Sequence, residues 1–159
     1  MLDGSIIKVH QDAMRSAYDK AAEAIGSCAG GLSTKIHAKV DSFGQLVNIL
    51  ITPGQVHESQ VANDVWANEH CEFFLADKAY DIDSFRQALT EDGIKAVIPS
   101  KKNRLNPTAH DRHIYKERNI VERFFQKIKR FRRVATRYDK TARMYLTGVM
   151  FVSILLALN

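Results

Sequence analysis

The segment from Ser33 to Gly54, STKIHAKVDSFGQLVNILITPG, constrains the fold more than any other stretch. Apolar side chains alternate around Ile36, Ala38 and Val40, a turn sequence follows at Asp41-Ser-Phe-Gly44, and the pattern resumes with Leu46, Val47, Ile49 and Ile51. A period of two on either side of a glycine-containing turn predicts a β-hairpin and excludes an all-helical bundle. Upstream, LDGSIIKVH sets Leu2, Ile6, Ile7 and Val9 near a small polar cluster and reads as a short strand, whereas residues 11–31, rich in Ala, Gly and Ser, read as a loop or a poorly packed helix. Downstream, SQVANDVWANEH predicts a helix, CEFFLAD a buried strand, DIDSFRQALTEDG a helix with an aspartate start and a glycine stop, and IKAVIPS a strand closed by Pro99. The basic loop KKNRLNPTAHDRH then leads into a long helix over 115–133. A hairpin followed by alternating helices and strands predicts an α/β fold, a mixed sheet flanked by helices. A length of 159 residues, 45% apolar, fits one domain over 1–159.

Two cysteines, Cys28 and Cys71, without CxxC or Cys/His spacing support neither a disulfide framework nor a structural zinc, and fit a reducing cytosol. The longest apolar stretch, Met144 to Leu158, is interrupted by Thr147, Gly148 and Ser153 and falls short of the roughly 20 residues that span a bilayer, so it predicts a buried core helix and no membrane partner. Charge is unevenly spread. Residues 95–143 hold 16 Lys/Arg against 4 Asp/Glu, leaving 7 basic and 14 acidic residues elsewhere. Such asymmetry suits a protein that grips a polyanion with one region and holds cations with another, although a solvated basic helix gives the same count.

At about 100° per residue, Tyr115, Arg118, Glu122, Lys129 and Arg133 share one face of the 115–133 helix, beside an apolar stripe of Val121, Phe124, Phe125, Ile128 and Phe131. Glu122 is then either an intrahelical partner of Arg118 at i−4 or a functional carboxylate among cations. Asp77 stands where the CEFFLAD strand exits, a natural place for metal or substrate and equally for a turn cap. Asp3 lies beside the first strand and by itself reads as a surface aspartate. Three carboxylates from separate elements would make a hard oxygen site suited to Mg²⁺ or Mn²⁺, and two such ions about 3.5–4 Å apart handle phosphodiesters. His57 and Glu58 follow the hairpin, where they could approach the metals, with a helix-start role for Glu58 and Ser59 as the stronger reading, and Trp66 reads as a packing residue. Lys101, Lys102, Arg104, Arg132, Arg133, Arg137 and Lys140 form the expected phosphate-contacting set, with surface solubility as the competing role.

The run Tyr115-x2-Arg118-x3-Glu122-x6-Lys129 matches the Tyr/Arg/Glu/Lys signature of bacterial DDE transposases of the insertion-sequence-4-like superfamily. The blocks GGLSTKIHAKVD, ITPGQVHES, ADKAYD, VIPSKKNR and RRVATRYDKTAR, in that order, resemble the insertion-sequence-5 family in particular. The resemblance covers nearly the whole chain. It implies a ribonuclease H-like fold, two bound Mg²⁺ or Mn²⁺ ions, and Asp3, Asp77 and Glu122 as their catalytic ligands. It further implies that Arg118 and Lys129 bind phosphates, that Tyr115 lies near the scissile phosphate, and that the reaction is DNA cleavage at element ends followed by strand transfer into target DNA. A homo-oligomer on paired ends, in the bacterial cytoplasm at the nucleoid, is implied as well. Relatives have a glycine where Ala79 stands, and apolar strand residues and a DNA-binding region ahead of the first aspartate. The chain is therefore expected to be the C-terminal catalytic part, with a truncated first strand that leaves Asp3 loosely held. The alternative is an inactive fragment that binds only DNA or a partner transposase chain. A simple nuclease is disfavoured by the four-residue signature.

Overall fold

The hairpin is the backbone of the sheet. In the computed structural model, which describes residues 1–14, 19–66 and 71–158, it forms strands β3 (Gly31–Val40) and β4 (Leu46–Pro53), joined by a turn in which Asp41 Oδ1 accepts from the amides of Phe43 and Gln45. Gly44 closes that turn at φ +81°, a conformation that costs glycine little. Every residue of β3 from Ser33 to Val40 is buried, so alternation here does not mean one wet face. The even-numbered Ile36, Ala38 and Val40 meet helices, while the odd-numbered Lys35, His37 and Lys39 lie under the segment 54–66.

Strand β1 (Leu2–Val9) lies at the centre. It runs antiparallel to β3 from Leu2↔Lys39 to Lys8↔Ser33, and its last two residues pair in parallel with β7 (Thr136–Arg137). A short strand, β2 (Gly26–Cys28), sits beside the start of β3. Strands β5 (Phe73–Leu75) and β6 (Lys95–Val97) form a parallel pair, and Ala76, just past β5, bridges in parallel to Leu2. The strands therefore run across the molecule in the order β4, β3, β1, β5, β6, with β1 parallel to the last two.

Helices cover both faces. On one, α1 (Ala62–Trp66) and α2 (Asp83–Glu91) enclose Leu2, Phe74, Tyr80 and Ile98. Trp66 packs edge-on against Phe85, which agrees with its reading as a packing residue. On the other face, α4 (Asn119–Ile128) lays Val121, Phe124, Phe125 and Ile128 on Ile7, Ile36 and Ala38. Each of these large side chains contributes about 1.5–3 kcal/mol by leaving water. Strand alternation places Asp3 on the same face as Ile7, under α4.

Four expectations need correction. The helix read over 115–133 is in pieces: α3 (Arg112–Tyr115), capped by Asp111, a 3-10 turn at Lys116–Arg118, α4, and then α5 (Arg132–Ala135) after a break at Phe131 (φ −83°, ψ 112°). The physical reason is that an unbroken helix would carry Arg132 onto the stripe of Val121, Phe125 and Ile128. The break leaves Arg132 exposed and buries Val134 instead. Second, Asp3 is not loosely held. Pairs to β3 flank it on both sides, and the Met1 ammonium donates to the Val40 carbonyl (2.7 Å). Third, the C-terminal helix α6 (Ala142–Ala157) is only half in the core: Tyr145, Val149 and Val152 are buried, but Met144, Phe151 and Ile154 are exposed. Fourth, the segment 11–31 is neither loop nor helix throughout, since it supplies β2 and the buried Ala13 and Ile25; its residues 15–18 lie outside those described, as do 67–70 of the helix expected after the hairpin. Among the described residues no helix is long and apolar enough to cross a membrane.

Candidate active site

The parallel bridge between Leu2 and Ala76 sets the geometry of the site, because one step further along both strands brings Asp3 and Asp77 side by side. Asp77 caps the 3-10 turn at Lys78–Tyr80, accepting from the Lys78 amide through Oδ1, so the capping role read from the sequence holds alongside any other. Asp3 Oδ1 accepts from the Gly4 amide (2.8 Å), which fixes its carboxylate toward α4. From that side comes Arg118, whose Nη1 donates to Asp3 Oδ2 (2.8 Å) and whose Nη2 donates to Glu122 Oε1. Arg118 and Glu122 are four residues apart on the turn and helix, so the helical pair read from spacing exists, extended across to the sheet.

Electrostatics tie these groups together. Burial pushes the Asp3 carboxyl above its ordinary value, and the charges of Asp77 and Glu122 push the same way, against the pull of the Gly4 amide and Arg118. Burial works against the charge on Arg118, but Asp3, Tyr115, Glu122 and Asp77 together hold it more firmly protonated. The guanidinium also lies over the Tyr115 ring, 5.7 Å from its centroid, and burial raises the phenol's pKa. Lys129, at the end of α4, is half-buried, which lowers its pKa. Tyr115, Arg118, Glu122 and the two aspartates are thus one cluster.

Its donors are all carboxylate oxygens, the chemistry that hard divalent cations select. As placed, no three Asp, Glu, His or Cys side chains among the described residues stand close enough to hold a metal ion; the cation that spans Asp3 and Glu122 is the Arg118 guanidinium.

The other expected phosphate contacts divide. Lys102, Arg132, Arg133 and Lys140 are exposed, and Lys101 partly so. Arg104 is committed to the loop it stands on, pairing with Asp81 (2.9 Å) and Asp83 and donating to the Asn106 carbonyl. Arg137 does not belong to a DNA-facing set. It is fully buried, donates to the carbonyls of Glu23, Asp139 and Lys140 and to Thr34 Oγ1, and lies over the Tyr145 ring. Its place on β7 at the sheet edge, unreadable from a basic stretch, withdraws it from the surface.

Sequence reasoning missed the layer behind Asp3. His57 does cap the turn at Glu58–Gln60, but Glu58 reaches past it to Lys35 Nζ (2.9 Å), which also donates to the Val56 carbonyl (2.7 Å). A side chain at Gly4 would meet Glu58 Oε1 at 3.3 Å and His37 Nδ1 at 3.5 Å, so a buried polar group stands against the backbone next to Asp3. Strict alternation with lysine and histidine at the polar positions of a central strand was the available signal. Asp81 was also missed: fully buried at its side chain, it accepts from Arg86 Nε, Arg104 Nη1 and the Lys101 amide and so clasps the basic loop to α2.

The transposase DDE domain model matches residues 1–159, the whole chain. The chain belongs to that family. It is also 36% identical over 118 residues to a Brucella ovis protein that carries the name of a transposase for insertion sequence element IS6501, an alignment covering 72% of this chain and 90% of that protein. No solved structure matches. Membership in a transposase DDE family fits a cluster in which carboxylates from two strand ends and a helix face one another around basic side chains.

Proposed function

We propose that this transposase-family chain is the C-terminal catalytic domain of an insertion-sequence-5-type element, that its sheet is of the ribonuclease H-like kind, and that it cuts DNA at the element's ends and joins the freed 3′-hydroxyl to target DNA. The observation that carries the reading is the convergence of Asp3 and Glu122 on Arg118 with Asp77 one register step away, which groups the signature residues with the two aspartates. Asp3, Asp77 and Glu122 would hold Mg²⁺ or Mn²⁺, and two bound ions supply the charge that activates an attacking oxygen and offsets the departing one. Arg118 and Lys129 would grip the phosphates on either side, and the Tyr115 ring, itself against His110, would line the approach. Lys101, Lys102, Arg132, Arg133 and Lys140 would carry the flanking duplex, as a homo-oligomer on paired ends at the bacterial nucleoid. The firm pairing of β1 around Asp3 supports a catalytic role over a fragment that only binds DNA or a partner chain.

The test is cleavage and strand transfer on labelled duplex carrying the element's ends, with Mn²⁺ or Mg²⁺, for the chain and its Glu122→Ala and Asp77→Ala variants. Loss of at least ~10³-fold in rate in both variants, with DNA affinity kept, is expected for groups that act only in the reaction. Binding without cutting by the parent chain, with ions present, would instead favour the binding-only fragment.

A further inference from the structure

Arg118 presents a problem for any divalent ion at this site. One of its nitrogens holds Asp3 Oδ2 at 2.8 Å and another holds Glu122 Oε1, while the remaining oxygen of Asp3 is taken by the Gly4 amide. An ion lying between Asp3 and Glu122 would compete with the guanidinium for Asp3 Oδ2 and Glu122 Oε1, the two oxygens it already bridges. The contact is also well placed to be exchanged. Glu122 is about half exposed, so solvent reaches one end of the bridge, and Arg118 hangs from the 3-10 turn ahead of α4 on a long side chain with several rotamers. Three carboxylates face a single guanidinium here, and a divalent ion answers that charge better than one cation does.

We propose that Arg118 is a displaceable counter-cation: it holds Asp3 and Glu122 together until a divalent ion takes its place, and in leaving it becomes free to take a DNA phosphate. This rests on the function proposed above. Metal loading and DNA grip are then coupled through one side chain. The bridge keeps the carboxylates from repelling one another in the empty site, and its release delivers a bidentate phosphate donor to the edge of the loaded one. Lysine could not substitute, because an ammonium is a compact point charge without the planar fork that spans two carboxylates.

The experiment is Mn²⁺ titration of the full chain by calorimetry, alongside thermal melts in EDTA and in Mn²⁺, for the parent, Arg118→Ala, Arg118→Lys and Asp3→Asn. Removing the competitor is expected to tighten Mn²⁺ binding about tenfold in Arg118→Ala, equivalent to about 1.4 kcal/mol. The same variant is expected to melt lower than the parent in EDTA and to recover most of the difference in Mn²⁺. Arg118→Lys, which keeps the charge but loses the span, is expected to fall between and guards against a fold defect in the alanine variant. Duplex affinity, read by fluorescence anisotropy with Ca²⁺ against EDTA, is expected to rise with the ion in the parent and not in Arg118→Ala. If the parent binds Mn²⁺, loses it in Asp3→Asn, and Arg118→Ala binds it no better, the counter-cation idea is overturned while the metal site stands. If neither the parent nor Arg118→Ala binds Mn²⁺, the metal-dependent reading and this inference fall together.

Discussion

His37 shows how a single buried group can set the acid limit of the fold. It is fully buried on β3, shares a hydrogen bond with Thr52 Oγ1 (2.9 Å), and burial next to Lys35 pushes its pKa from the ordinary 6.5 down to about 4, with Glu58 pulling the other way. The imidazole is therefore neutral in the folded chain and protonates more readily in the unfolded one. Protons then favour unfolding as pH falls below about 6.5, and the effect levels off below about 4. The shift corresponds to roughly 3 kcal/mol at most. Urea melts at pH 7, 5.5 and 4 are expected to show the parent losing stability across this window and His37→Gln losing markedly less; equal losses in both would assign the acid sensitivity elsewhere. None of this was legible in the sequence, where His37 is one polar position of an alternating strand. By contrast Asp77, Glu122 and Arg118 were legible, because a strand exit and a helical spacing of four are local facts. Their meeting with Asp3 was not, since it depends on a bridge between residues 74 apart, Leu2 and Ala76.

Among the elements, the hairpin, β1, β5, β6 and α2 follow the local signals closely, whereas the short strands β2 and β7 do not, and the failures cluster where a long-range partner decides. The helix over 115–133 breaks because the sheet accepts Val134 and not Arg132. The basic loop 101–113 gives another case: the sequence reads Lys101, Lys102 and Arg104 in it as phosphate contacts, yet Asp81 anchors it through the Lys101 amide (2.8 Å) and Arg104, with Arg86 bound to the same carboxylate (2.7 Å) and to the Ile98 carbonyl. Burial alone would raise the Asp81 pKa, but the amide and the two guanidiniums hold it below its ordinary value. Removing one member of such a buried set leaves charges uncompensated, at a cost of about 3–5 kcal/mol. Asp81→Ala is therefore expected to lower the melting temperature and to open the loop to limited proteolysis between 101 and 111, with duplex affinity falling as Lys101 and Lys102 lose their fixed positions. An unchanged cleavage pattern would mean the loop is held by other contacts, such as the Ser100–Thr108 pair.

At the scale of the whole molecule, the formal charge of +5 conceals a basic segment and an acidic remainder, and the fold decides which cations of that segment face outward. Basic residues count toward DNA binding only if they can reach a phosphate and release counterions, so each contact adds about one unit to the slope of log affinity against log salt. Arg133 is exposed on α5, whereas Arg137, four residues on, spends its donors on three carbonyls and a hydroxyl inside the sheet. The two substitutions should therefore separate two quantities. Arg133→Ala is expected to reduce the salt slope on random duplex by about 1 and leave the melting temperature within a degree or two. Arg137→Ala takes the donor from three partly buried carbonyls and from the buried Thr34 hydroxyl and empties a fully buried site, which costs up to about 1–3 kcal/mol for each group left without a partner or water. It is expected to melt much lower yet, at a temperature where it remains folded, to keep the parent's slope. A lower slope in Arg137→Ala at that temperature would show that its guanidinium reaches DNA after all, and that the basic segment opens away from β1 when the polyanion binds.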